Sequence, residues 1–282
     1  MLHSPHPSHD SFYNDISWFQ NWFASKALRV IGAAAFGFGL WELIAIAVQE
    51  LRGIPFPDPW DCLIGLIQLL HGELFLEFTI YQHIESSCLR WLCGFLSAYG
   101  SGLTYAALAF YVPLFRAVSF PVVEVLQLIP GLAWVPVVIL LFGLGETATL
   151  AIIVLTTFPV IAVSALMGFS SADIDFIRVG RMCGYGQWGL FKTIYLPSAL
   201  PHLLSGTRIA VGSSWRVLVA AEMVVGSGSG LGFAIIQSRW TMDYVSAFVC
   251  IAIIALIGLC LERLIFLPLE RRTIRRWRGD YE

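Results

Sequence analysis

DIDFIRVGRMCGYGQWGLFKTIYLPSALP, residues Asp173 to Pro201, decides the fold. It lies between two apolar runs long enough to cross a membrane, yet it carries Asp173, Asp175, Arg178, Arg181 and Lys192, glycines 180, 184, 186 and 189, and prolines 197 and 201. Hydrocarbon does not tolerate that composition, so the stretch belongs in water. It is also patterned. Ile174, Ile177, Val179 and Met182 precede Gly184, and Trp188, Leu190, Phe191, Ile194 and Leu196 follow it. The spacing predicts two short helices with apolar faces, hinged at a glycine free to take φ > 0. Such a water-exposed helical knob is a docking element.

Working outward, the whole chain has the composition of a polytopic membrane protein. Of its 282 residues 57% are hydrophobic and 13% charged, and the mean hydropathy is +0.75, far from the balance of a soluble domain. A net charge of −2 gives no reason to expect a nucleic-acid partner. Six scattered cysteines form no C-x-x-C pair and suit packing. The first residues lack the apolar core of a signal peptide. His3, His6 and His9 lie among prolines that prevent the helix needed to align them on a metal. Six spans are expected, at Ala27–Val48, Ile84–Phe110, Val118–Phe142, Thr147–Phe169, His202–Val225 and Tyr244–Leu261. The first, at about 1.5 Å per residue, reaches about 33 Å. Tyr111–Ala117 reads as a short loop between spans two and three. The expected division is a cytoplasmic tail (1–26), a transmembrane domain (27–267) and a basic cytoplasmic tail (268–282), the last holding Arg271, Arg272, Arg275, Arg276 and Arg278. Eleven Lys or Arg outside the spans fall on the side of both termini against two, Arg52 and Arg239, on the other, which is expected to place both termini in the cytoplasm.

Gly184, nine residues, Ile194, one residue, Leu196 and Pro197 resembles the loop signature of ABC importer permeases, E-A-A, three residues, Gly, nine residues, I-x-L-P. The E-A-A positions depart, holding Arg178, Val179 and Gly180. Two further stretches are similar to the nitrate, sulfonate and taurine branch. PVVEVLQLIPGLAWVPVVILLFGLGE matches at Pro130, Leu132, Ala133, Pro136, Phe142, Gly143, Gly145 and Glu146; GTRIAVGSSWRVLVAAEM matches at Ala220, Ala221, Glu222 and Met223. Ser86, Arg90, Gly94 and Phe95 resemble the opening of the permease core, and Gly230-Leu231-Gly232 the family's G-L-G turn.

The resemblance implies an all-α type I importer permease with six transmembrane helices. It implies a loop (Arg178, Gly184, Trp188, Phe191, Ile194, Leu196, Pro197) that couples to two copies of a separate ATP-binding subunit. ATP and Mg²⁺ then sit on that ATPase, with no cofactor or metal in this chain. A second permease copy, an extracytoplasmic binding protein and the lipid bilayer complete the partners. The cargo is a small anion: nitrate, bicarbonate, taurine or an alkanesulfonate.

From the residues themselves, the candidate translocation path is Glu124, Gln127, Pro130, Arg216 and Glu222. Glu124 and Gln127 are one helical turn apart, and helix breakers at this density expose backbone that only protein or water can satisfy. Arg216 is either neutralised by Glu124 or Glu222, or it offers its planar donors to a passing oxyanion. Arg90, inside span two, calls for a partner or an interfacial position. An ion-driven secondary transporter using Glu42, Glu124 and Glu222 is the second reading, although no duplicated half is evident. A membrane enzyme is a third, lacking a recognisable metal or nucleophile set.

Overall fold

The structure is a computed structural model that describes residues 10–53, 56–226 and 228–266, with side chains at 28, 29, 31–53, 56–226 and 228–263. The histidines at 3, 6 and 9 and the arginines from 271 to 278 lie outside the described residues. By contacts the chain divides into two units, residues 1–64 and 65–282.

In the first unit, helix α1 runs unbroken from Asp10 to Arg52, so the span expected at Ala27–Val48 is the later part of a helix that starts within the expected tail. The chain then turns through Pro57, whose carbonyl accepts a hydrogen bond from Trp41 Nε1 at 3.1 Å, into α2 (Pro59–Leu70).

Among the described residues of the second unit the strands are those of a short hairpin, β1 (Leu74–Phe75) and β2 (Phe78–Thr79), paired antiparallel with Leu74 opposite Thr79, and the other elements are helices. Helix α3 (Ile80–Tyr111) begins at a capping box in which Thr79 and Gln82 satisfy each other's backbone amides. Helix α4 (Pro113–Leu128) starts on a proline at its first position, which costs no hydrogen bond there. The expected loop at Tyr111–Ala117 therefore shrinks to Val112, and Arg116 lies on a helix. After Ile129 and Pro130 a tight helical turn (Gly131–Trp134) leads into α5 (Val135–Phe142), and the two parts meet at a bend of 106°. The stretch expected as the third span is thus two helices meeting at a sharp bend next to Pro130.

Helix α6 (Glu146–Ser170) packs chiefly between α3 and α9 (Leu196–Val225). Small residues allow the close approach: a side chain at Gly94 would meet Ile153 within 2.8 Å, one at Gly102 would meet Ile161 within 2.9 Å, and one at Gly168 would meet Ala199 within 3.0 Å. Helix α10 (Leu231–Thr241) packs on α9 and on α11 (Tyr244–Cys260), which continues as a wider helical turn to Phe266.

Among the described residues four helical segments are long and apolar enough to cross a membrane, Ile31–Arg52, Ile80–Tyr111, Glu146–Ser170 and Tyr244–Arg263, and the bent pair makes a fifth if it is one span. The expected fifth span lies in α9, which at 30 residues is long enough. Its exposed polar side keeps it out of that set. His202, Ser205, Arg208, Gly212 and Arg216 are all exposed on it.

Candidate coupling loop and polar network

Between α6 and α9 the chain forms α7 (Ile174–Met182) and α8 (Gln187–Leu190), then a wide helical turn, Phe191–Tyr195, that runs straight into α9. Asp173 caps α7 by accepting the amide of Asp175 at 2.9 Å. Gly184 takes φ +84° between the two helices, the left-handed conformation that a hinge there demands. Gly180, where the family loop has alanine, is buried: an added Cβ would come within 2.8 Å of both Leu190 Cδ2 and Ile194 Cδ1. That contact packs α7 against the following turn. Arg178, at the family's acidic position, pairs with Asp175 at 3.1 Å on the exposed side.

The apolar faces divide in two. Ile174, Phe176, Val179, Met182 and Trp188 are exposed, Met182 by 87% and Trp188 by 75%, as a surface awaiting a partner would be. Phe191 instead turns inward. Its ring lies 5.4 Å from Phe169 on α6 and 6.0 Å from Tyr111 on α3, while Trp188 stacks on it at 5.7 Å. Phe110 joins the cluster through Phe169 at 5.7 Å and Tyr195 at 4.8 Å. The loop is therefore seated on three core helices at once. Leu190 is buried, Ile194 half-buried, and Leu196 and Pro197 open α9.

At the opposite end of the same helices is a buried ionic network. Arg90 on α3 donates from Nη1 to Glu222 Oε1 at 2.8 Å and from Nε and Nη2 to Glu146 Oε1 at 3.1 and 2.9 Å. It also donates to the carbonyl and hydroxyl oxygens of Ser229, each at 2.8 Å. Glu222 on α9 is fully buried; besides Arg90 it accepts from Ser87 Oγ and from the Gly232 amide at 2.9 Å. Glu146 keeps 61% of its side chain exposed, whereas the buried Arg90 and Glu222 are tolerable only because each is satisfied in this way. A cavity of about 210 Å³ beside it is lined by Ser86, Leu89, Arg90, Cys93, Glu146 and Leu150.

The sequence-derived path residues are not brought together. Glu124 and Gln127 are exposed on α4, Pro130 is exposed at the bend, Arg216 is exposed on α9, and Glu222 sits in the network. Glu222 takes Arg90, 132 positions away, as its partner. Arg216 has neither Glu124 nor Glu222 as an ion-pair partner among the described residues. Its charge acts on Glu262, which Arg208 binds at 2.8 Å. Sequence reasoning missed His83, Ser87 and Ser229. Serines and histidine near a span end are too common to signal a network; only the intramembrane Arg90 announced that partners must exist.

The model of binding-protein-dependent transport system inner membrane components matches residues 98–274, which include the loop, the bent pair, α6 and α9. This chain belongs to that family. It is a membrane permease and not an enzyme, and its family works with a separate ATPase and a substrate-binding protein. The chain is 30% identical over 252 residues to the taurine transport system permease TauC of Escherichia coli K12, covering 89% of this permease and 90% of that one. It is 32% identical over 244 residues to the Bacillus subtilis 168 SsuC, a putative aliphatic sulfonates transport permease (86% and 85% covered). Against the nitrate import permease NrtB of Synechocystis it is 26% identical over 247 residues (86% and 88% covered). A bacterial ABC transporter involved in the import of alginate shares the fold, with a TM-score of 0.60 at 13% identity, covering 94% of this permease and 99% of that chain. The fold is that of a type I importer permease, and the permease is the membrane-spanning subunit of an ATP-driven importer.

Proposed function

We propose that this permease forms, as a homodimer with two ATP-binding subunits, the path for a small oxyanion such as nitrate, bicarbonate, taurine or an alkanesulfonate. Both termini lie in the cytoplasm, and ATP and Mg²⁺ are held by the ATPase. The loop from Asp173 to Pro201 docks its exposed apolar side chains on that ATPase, and Phe191 passes the motion to the core helices. Glu124, Gln127 and Pro130 are candidate lining of the path, with Glu222 fixing its wall from behind.

One observation carries the anion reading. Arg216 is exposed on α9 in a chain built to sit in lipid, where a guanidinium facing hydrocarbon costs about 2.5 to 3.5 kcal/mol on insertion scales. Its side of the helix must meet water or another protein surface, and Arg216 offers its guanidinium there, while Arg208 on the same side is paired with Glu262. The relatives' names for taurine, sulfonate and nitrate transport agree with a guanidinium placed there.

Arg216→Lys tests the reading. A planar guanidinium can hold two oxygens of one anion and an ammonium cannot. Uptake should fall while complex assembly and basal ATPase activity persist; unchanged uptake in Arg216→Ala, with the complex intact, removes Arg216 from the path.

A further inference from the structure

Three consecutive backbone amides at the start of α10 are each held by a buried side chain from another helix. Gly230 N donates to His83 Nδ1 at 3.1 Å, Leu231 N to Ser87 Oγ at 2.8 Å, and Gly232 N to Glu222 Oε2 at 2.9 Å. The residue before them, Ser229, gives both of its oxygens to Arg90. The first amides of a helix have no partner within it. Here α3 and α9 supply those partners, and the Glu222 carboxylate also complements the positive end of the helix.

Two glycines make the approach possible. Gly230 has φ +119°, and a Cβ there would lie 2.7 Å from Arg90 Nη1; a Cβ at Gly232 would lie 2.8 Å from Glu222 Cβ. Arg90 donates five hydrogen bonds with its side chain only 4% exposed, and two of them go to Ser229. If Ser229–Gly232 lifted off α3, the buried pair and three amides would lose partners together. The segment therefore has every reason to travel with α3 and α9.

We infer that Ser229–Gly232 is latched to α3 and α9 throughout the transport cycle, with Arg90 as a positioning residue that carries the movement of these helices to the segment joining α9 to α10. The inference rests on the importer reading above. The same three core helices carry the aromatic seat of the coupling loop at their other end, so the latch completes a continuous body from the loop to the opposite end of the bundle.

The test uses the complete transporter in proteoliposomes with its binding protein. Ser86 Oγ and Ser229 Oγ are 3.3 Å apart, so the pair Ser86→Cys with Ser229→Cys, in a Cys93→Ser background, should oxidise to a disulfide detectable by peptide mass spectrometry. Because a latched segment makes no motion against α3, the oxidised pair should keep uptake within about twofold of the reduced form. Failure to oxidise, or oxidation that arrests uptake until reductant is added, overturns the inference. In Arg90→Gln the stimulation of ATPase activity by loaded binding protein should fall about tenfold, with basal ATPase and subunit stoichiometry kept, and the oxidised cysteine pair should restore it. Full stimulation in Arg90→Gln, or stimulation that the oxidised pair leaves lost, also overturns it. If Arg90→Gln does not assemble, the cysteine pair in the otherwise native chain decides. Absence of ATP-dependent uptake in the unaltered chain counts against the importer reading and not against the latch.

Discussion

Phe191→Ala separates the seat of the loop from its docking surface. The ring is half-buried and touches Phe169, Tyr111 and Trp188 at centroid distances of 5.4, 6.0 and 5.7 Å. Truncating a fully buried Phe costs about 3 to 5 kcal/mol, and half of that, about 2 kcal/mol, suits a ring half open to solvent. A loss of that size shifts the ratio of seated to unseated loop about 30-fold. The core of α3, α6 and α9 is left intact, so the permease should still insert and bind its ATPase through Ile174, Phe176, Met182 and Trp188. The ratio of substrate transported to ATP hydrolysed, measured in proteoliposomes, should collapse while basal hydrolysis continues. Trp188→Ala is the contrast: its ring is mostly exposed, so it should weaken ATPase binding itself. A Phe191→Ala transporter with the wild-type transport-to-hydrolysis ratio refutes the idea that this aromatic seat transmits the motion.

Other expectations follow the same physics. Gly184→Val forces a β-branched side chain into φ +84°, costing about 1 to 3 kcal/mol, and should reduce copurification of the ATPase. Glu222→Ala removes the acceptor of Ser87, Arg90 and the Gly232 amide together. It should lower stability by about 3 kcal/mol in a thermal melt of the detergent-solubilised chain, the low end for a broken buried pair because Glu146 still holds Arg90. If both termini are cytoplasmic, as proposed, the exposed Cys183 should react with an impermeant maleimide only from the cytoplasmic side. Cys62 should stay nearly inert from either side, because burial and then Asp58 and Asp61 push its thiol up to about 11.

Local features of this molecule were legible in the sequence wherever chemistry and spacing act within a turn or two. The left-handed Gly184, the short helices beside it and the break at Pro130 are cases of this kind, since glycine and proline constrain the backbone directly. The start of α4 was missed: Pro113 stands at its first position, but Tyr111–Ala117 between two apolar runs reads as a loop. Long-range pairing was not legible either. Arg90 had to find an acid, yet nothing local singled out Glu222 from Glu124 or Glu146. Assigning Glu222 to Arg216 looked reasonable along the chain, but six positions on a helix turn about 240°, placing the two side chains on different faces. Glu222 then faces α3 and Arg216 does not. The small-residue contacts between α3, α6 and α9 likewise depend on which glycines meet, which a single sequence does not encode in any local pattern.

The central claim is that this chain moves its cargo on ATP delivered through a separate subunit. Proteoliposomes holding the permease, its ATPase and its binding protein in the external buffer should accumulate labelled anion when ATP and Mg²⁺ are enclosed. An imposed proton or sodium gradient without ATP should drive none. Gradient-driven uptake by the permease alone, indifferent to ATP and to the binding protein, would contradict the account.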